Sequence, residues 1–225
     1  MDKLIFVGGS KGGTGKSTVC GATLDYLIQQ KKKPLLIESD GTNPDVWKAY
    51  KDSCDNIVLN LDEAEGWIEL INVADKTKCR PVVVNTAARN SAGVERYGET
   101  LRSTLKELNR ELTTLWVINR QRDSLELLAD YLDALPEGQV HVIRNNYWGE
   151  SQKFEMYNGS AVKKRIDAGG GKSLDFPDLA DRVSDALVGK RLTIEAAVRE
   201  LPIGDRAELL RWRAAVGKVL GEVLG

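Results

Sequence analysis

Short, wholly apolar runs recur along the first two thirds of the chain, and longer stretches with helical spacing lie between them. The runs are "LIFV" (Leu4 to Val7), "PLLIE" (Pro34 to Glu38), "NIVLNL" from Asn56, "PVVVN" from Pro81, "LWVIN" from Leu115 and "VHVIR" from Val140. Among the intervening segments, "STVCGATLDYLIQQ" places Val19, Thr23, Tyr26 and Leu27 at helical spacing, and "TLRSTLKELNREL" and "SLELLADYLDAL" read as helices. A strand with one wet face alternates apolar and polar residues; a strand apolar throughout is covered on both sides. The pattern therefore predicts an α/β fold, with a mostly parallel central sheet covered by helices on both faces.

After Arg144 the pattern changes. "NNYWGESQKFEMYNGS" has no clear period, and "RIDAGGGKSLDF" reads as a glycine-rich loop. Three helical stretches follow, at Pro177 to Leu187, Thr193 to Leu201 and Asp205 to Leu224. The last carries Leu209, Trp212, Val216, Val219 or Leu220, and Val223 on one side, which suits packing on the body of the domain or on a partner subunit. No internal repeat is visible. The expectation is one domain over 1–225, with a core at about 1–146 and a helical C-terminal part at about 147–225.

Composition narrows the classes. The formal net charge of −1 excludes attraction of nucleic acid by overall charge. Two local basic clusters, "QQKKKP" and "VKKRI" (Val162 to Ile166), read as solvated helix surface or as contacts for DNA phosphates. No apolar run approaches the roughly 20 residues that span a bilayer, and "MDKLIFVGG" is too short for a secretory signal, so a cytoplasmic protein off the membrane is expected. Cys20, Cys54 and Cys79 form no CxxC pair, which argues against a disulfide framework or a zinc site. His141 lies inside an apolar run and reads as a strand residue.

The chemistry concentrates in "SKGGTGKST", which follows a strand and opens a helix. That context makes it a phosphate-binding loop. Gly12, Gly13 and Gly15 let the backbone turn and bring the N–H groups of the loop, Thr14 included, close to phosphate oxygens. Lys16 reaches the β- and γ-phosphates, the Ser17 hydroxyl ligates Mg²⁺, and Thr18 reaches the α-phosphate. A guanine-specific NKxD or TKxD is missing: "NRQRD" has its Asp one place late and "TKCR" has none, which favours ATP. A second GKS, in "GGGKS" at Gly169 to Ser173, has no strand before it and reads as a surface loop.

The pattern KGGxGK[ST], here Lys11 to Ser17, is the deviant Walker A motif and resembles the ParA/MinD family of P-loop ATPases. The resemblance runs from residue 2 to about 146, and the asparagine-bearing motif at Asn85 looks more like the plasmid stability and mobilisation branch. It implies ATP and Mg²⁺ as cofactors, a nucleotide-dependent homodimer and a protein partner. It also implies that Lys11 crosses the dimer interface to the partner's phosphates, where a lysine neutralises developing charge as an arginine finger does. Where the family has D-x-D, this chain has Glu38 and Asp40; the resemblance gives Asp40 the positioning of the attacking water and of the Mg²⁺ shell, and makes Gly41 to Asp45 the first switch. Where the family has the Walker B carboxylate, this chain has Asn85, which keeps one acceptor for magnesium-bound water and loses the charge; Thr86 to Asn90 would be the second switch. The family's adenine-contacting asparagine corresponds to Asn145, with Asn119 as the alternative.

Three functions follow as alternatives. The first is an ATP-dependent dimerising switch ATPase in DNA partition, plasmid maintenance or conjugative transfer, with Lys11, Lys16 and Asp40 catalytic. The second is a non-hydrolysing ATP-binding adaptor, motivated by Asn85. The third is a small-molecule enzyme of the related amidotransferase or carboxylation type, its pocket built by the region after Tyr147.

Overall fold

The computed structural model describes residues 2–9, 12–87 and 91–225. The strands are β1 (Asp2–Gly9), β2 (Leu35–Glu38), β3 (Asp55–Val58), β4 (Val82–Asn85), β5 (Arg110–Ile118), β6 (Gln139–Asn145) and β7 (Ser173–Phe176). All pair in parallel, in the order β3-β2-β4-β1-β5-β6-β7. The helices are α1 (Lys16–Gln29), α2 (Asp45–Tyr50), α3 (Ala64–Lys76), α4 (Ser91–Leu108), α5 (Asp123–Ala134), α6 (Glu155–Asn158), α7 (Ala161–Ala168), α8 (Asp181–Gly189), α9 (Ile194–Glu200) and α10 (Ile203–Leu224).

Side chains alternate across each strand, so the apolar runs divide between two cores. Ile5 and Val7 join Leu115, Val117 and Ile143 beneath α1, α9 and α10. Leu4 and Phe6 join Val84, Trp116 and Val142 beneath α3, α4 and α5, where Trp67 and Leu101 are fully buried. This is the two-faced parallel sheet that the sequence predicts.

Two segments depart from the sequence reading. "NREL", taken as the end of a helix, opens β5 instead: α4 stops at Leu108 and Asn109 turns with a positive φ of 51°. Arg110 is buried there because its guanidinium donates to the carbonyls of Ala74, Thr77 and Arg80, which close the C-terminal end of α3. "RIDAGGGKSLDF", taken as a loop, splits into the end of α7, a turn at 169–172, and β7. Gly171 is required in that turn, since a Cβ there would sit 2.1 Å from the Val140 carbonyl oxygen. The C-terminal part thus adds an edge strand to the sheet as well as helices.

The final helix packs on α1. Leu209, Trp212, Val216, Leu220 and Val223 are buried, the Trp212 indole donates to Pro177 O at 2.8 Å, and Phe176 meets Trp212 edge-on. The Arg213 guanidinium makes two hydrogen bonds, of 2.8 and 2.7 Å, to Asp25, which is 4% exposed, and one of 2.8 Å to Glu195. Burial raises the Asp25 pKa while Arg213 and Gln29 pull it back. Among the described residues no helix is long and apolar enough to cross a membrane. The three cysteines are free.

Candidate functional site

In a parallel sheet the carboxyl ends of all strands lie on one edge, where ligands bind in the crevices between strand and helix. On that edge the structure gathers the loop after β1, Glu38 ending β2 with Asp40 just after it, Asn85 ending β4, Asn119 after β5 and Asn145 ending β6. Gly13 and Gly15 have φ of 80° and 101°, values that L side chains disfavour, and Gly15 is the N-cap of α1. The first turn of any helix leaves N–H groups without intrahelical partners, so α1 presents donors and a partial positive charge to the loop. Lys16 is largely buried at this end; burial lowers its pKa and the neighbouring Asp40 opposes the shift. Ser17 and Thr18 are exposed. Lys11 lies outside the described residues, as do residues 88–90 of the second switch segment.

Asp40 caps the segment that follows it: its Oδ1 accepts from Thr42 N at 3.2 Å and from Asn43 N at 2.9 Å. Its carboxylate is close enough to Lys16 to act on its charge. Glu38, whose consequence sequence reasoning left open, is fully buried and central. Glu38 Oε1 accepts from Asp40 N at 3.0 Å and from Asn85 Nδ2 at 2.9 Å, and Oε2 accepts from Trp47 N at 3.4 Å. Burial pushes its pKa up to about 7, and the three donors hold it below where burial alone would take it. Asn85 pairs in register with Glu38 on one side and with Val7 on the other.

Asn85 Oδ1 is buried and lacks a partner among the described residues. A buried orphan acceptor at a phosphate-loop edge fits a donor supplied by a ligand, such as metal-bound water. Among the described residues no group of three or more His, Cys, Asp or Glu could hold an ion alone. A magnesium ion held by Ser17 and by phosphate oxygens, with Asp40 and Asn85 reached through water, would need no such group.

The two candidate base-reading asparagines are engaged differently. Asn145 Nδ2 donates to Thr14 O at 2.8 Å and its Oδ1 accepts from Tyr147 N at 3.1 Å. It therefore holds the phosphate loop, and a Cβ on Gly15 would stand 2.3 Å from its nitrogen. Asn119 Oδ1 accepts from Gln121 N at 2.9 Å and Ser124 Oγ at 2.7 Å, shaping the entry to α5. Beside these strand ends Arg120, Gln121, Trp148 and Lys153 line a cavity of about 420 Å³. Sequence reading also passed over Ser39, whose Oγ donates to Asn85 O at 3.0 Å and accepts from Ala87 N at 3.1 Å, joining the chain just after β2 to the chain just after β4.

Residues 5–147 match the family model described as the CobQ/CobB/MinD/ParA nucleotide binding domain. The chain belongs to this family. A curated relative, protein MobD of Acidithiobacillus ferrooxidans, is 58% identical over 225 residues, covering 100% of this chain and 99% of that protein. Among solved structures, the septum site-determining protein MinD complexed with Mg-ADP from Pyrococcus horikoshii aligns with a TM-score of 0.59 at 14% identity, over 99% of this chain and 98% of that one. A chain of the MinC:MinD cell division protein complex of Aquifex aeolicus aligns with a TM-score of 0.57 at 15% identity, over 100% of this chain and 98% of that one. At that identity the likeness is one of fold.

Other features of this family member lie elsewhere. "GGGKS" sits between α7 and β7, at the amino ends of the strands, so it follows a helix and precedes a strand, the reverse of a phosphate loop. Lys172 Nζ there donates to Glu222 O at 3.0 Å. His141 is buried in β6; its Nδ1 accepts from Lys172 N at 3.1 Å, and burial with Lys3 and Lys172 nearby lowers its pKa to about 4. Lys31, Lys32 and Lys33 follow the far end of α1, also away from the site. In the second basic cluster Lys163 pairs with Asp167, and Arg165 with Asp133.

Proposed function

We propose that this protein is an ATP-dependent switch of a DNA mobilisation or partition system. ATP and Mg²⁺ bind at residues 12–18, two copies close face to face, and slow hydrolysis in the cytoplasm reopens them. The observation that carries the reading is the convergence of the glycine loop, Lys16, Asp40 and Asn85 on one sheet edge, with Asn145 holding the loop from β6. Identity of 58% to MobD supports mobilisation as the process, and the MinC:MinD complex supports engagement of a protein partner.

In this reading Lys16 and the loop N–H groups neutralise and orient the triphosphate. Bound magnesium would offset phosphate charge, with Ser17 as its protein ligand and Asp40 and Asn85 on its waters. Asp40 orients the attacking water, and Lys11, reaching from the other copy, stabilises charge on the transferred phosphoryl. The cavity lined by Arg120, Gln121, Trp148 and Lys153, next to the strand end at Asn119, would hold the adenine. The exposed lysines after α1 give DNA an electrostatic contact, alone or beside a partner.

Light scattering tests the switch. The mass doubles with ATP and Mg²⁺ and stays monomeric with ADP; an unchanged mass with ATP overturns it. Asn85 favours a second reading, a non-hydrolysing adaptor: Asn lacks the charge that steadies the metal shell. Phosphate release measured with partner and DNA present separates them, because an adaptor releases no more than its Lys16→Ala variant.

A further inference from the structure

Three backbone or amide N–H donors converge on the buried Glu38 carboxylate, from Asp40, Trp47 and Asn85. All three are donors, so among the described residues the ionised side chain serves as an acceptor, and the contact orients the Asn85 amide. Nδ2 is committed to Glu38, and Oδ1 is left buried, 2% exposed for the residue, with no partner among the described residues. We infer that Glu38 and Asn85 work as one unit: Glu38 is a positioning residue that turns the Asn85 amide so that its Oδ1 accepts a hydrogen bond from water on the magnesium of bound ATP. This rests on the magnesium–ATP reading above.

The strand register makes the unit rigid. Glu38 and Asn85 end adjacent strands at matched positions, and Asn85 is also level with Val7, the β1 residue just before the glycines. The same carboxylate binds the backbone of Asp40 and the first turn of α2, so it fixes the start of the segment carrying Asp40 together with the Asn85 amide. The negative charge therefore sits one strand away from the amide that meets the metal's water. An amide held this way offers one oriented acceptor and leaves a single carboxylate in the buried pair. A carboxylate in place of Asn85 would stand against Glu38 as a second buried charge.

The test exchanges the two groups. Release of a fluorescent ATP analogue is timed with Mg²⁺ and with excess chelator, for the whole chain and for Glu38→Gln, Asn85→Asp and the double variant. Each single change shrinks the ratio of the two release rates by about tenfold, the usual scale for a group behind a metal shell. Glu38→Gln/Asn85→Asp again pairs one carboxylate with one amide, and its ratio recovers beyond either single variant. Losses that add in the double variant, or single variants equal to wild type, overturn the inference. A wild type whose release ignores chelation overturns the magnesium–ATP reading and the inference with it. A measurement on the unaltered protein guards against misfolded variants: with ATP bound, Mn²⁺ in place of Mg²⁺ broadens the Asn85 side-chain amide signal in selectively labelled protein, and an unaffected signal overturns the proposal.

Discussion

Asn145→Ala removes a side-chain hydrogen bond that ties β6 to the phosphate loop, the 2.8 Å contact to Thr14 O. A net hydrogen bond of this kind contributes about 1 kcal/mol, and the loop also loses a neighbour that limits its motion. If the loop must then be ordered at the moment of binding, triphosphate affinity falls by about tenfold, equivalent to roughly 1.4 kcal/mol. The contact is made to the loop backbone, so the loss is blind to the base. Competition against a fluorescent nucleotide, with ATP and with base-free tripolyphosphate as competitors, reads this directly: both affinities fall by the same factor. Asn145→Asp falls further, because a carboxylate then faces the Thr14 carbonyl and the incoming phosphates. A loss confined to ATP would refute the loop-holding role and return Asn145 to base reading.

Three further outcomes are expected. His141 titrates near 4 in the folded chain and near 6.5 unfolded, so the unfolded state takes up more protons as pH falls; the stabilisation is complete above pH 6.5, and by pH 5 about 2 kcal/mol is lost. Urea unfolding compared between wild type and His141→Asn, which keeps an acceptor near Lys172 N, shows this as a wild-type stability that falls by about 2 kcal/mol relative to the variant from pH 7 to 5; a constant difference rejects it. Arg213→Ala leaves Asp25 buried with only Gln29 and costs about 3 kcal/mol in urea unfolding, whereas Asp25→Leu/Arg213→Met costs less than the single change; the reverse ranking would show that the ion pair itself stabilises the fold. Gly15→Ala, at φ of 101° and against Asn145 Nδ2, abolishes nucleotide binding in the same competition assay and destabilises the chain by about 1–3 kcal/mol.

Five of the six apolar runs revealed the inner strands because burial on both faces leaves few polar positions to blur them; the sixth, from Asn56, is the edge strand β3, whose residues are half-buried or exposed. β7 was hidden: four residues at a sheet edge, alternating Leu174 and Phe176 with Ser173 and Asp175, resemble a loop when glycines precede them. Arg110 disguised the start of β5, since a buried arginine is explained only by the α3 carbonyls that it closes. In the site, the glycine loop was legible because its chemistry is local. The Glu38–Asn85 and Asn145–Thr14 contacts were not, as they join residues 47 and 131 positions apart and depend on strand order.

Helix α1 carries the phosphate loop at one end and leads into Lys31–Lys33 at the other. Its 14 residues span about 21 Å, more than twice the roughly 8 Å over which exposed charges sense one another at physiological salt. The two ends are therefore electrically deaf to each other. Phosphates arriving at the loop cannot weaken the grip of these lysines on an anion through their field. Control of that edge by nucleotide has two physical routes: a displacement of the helix as a rod, resisted by Arg213 on Asp25, or the joining of a second copy that doubles the number of lysines presented.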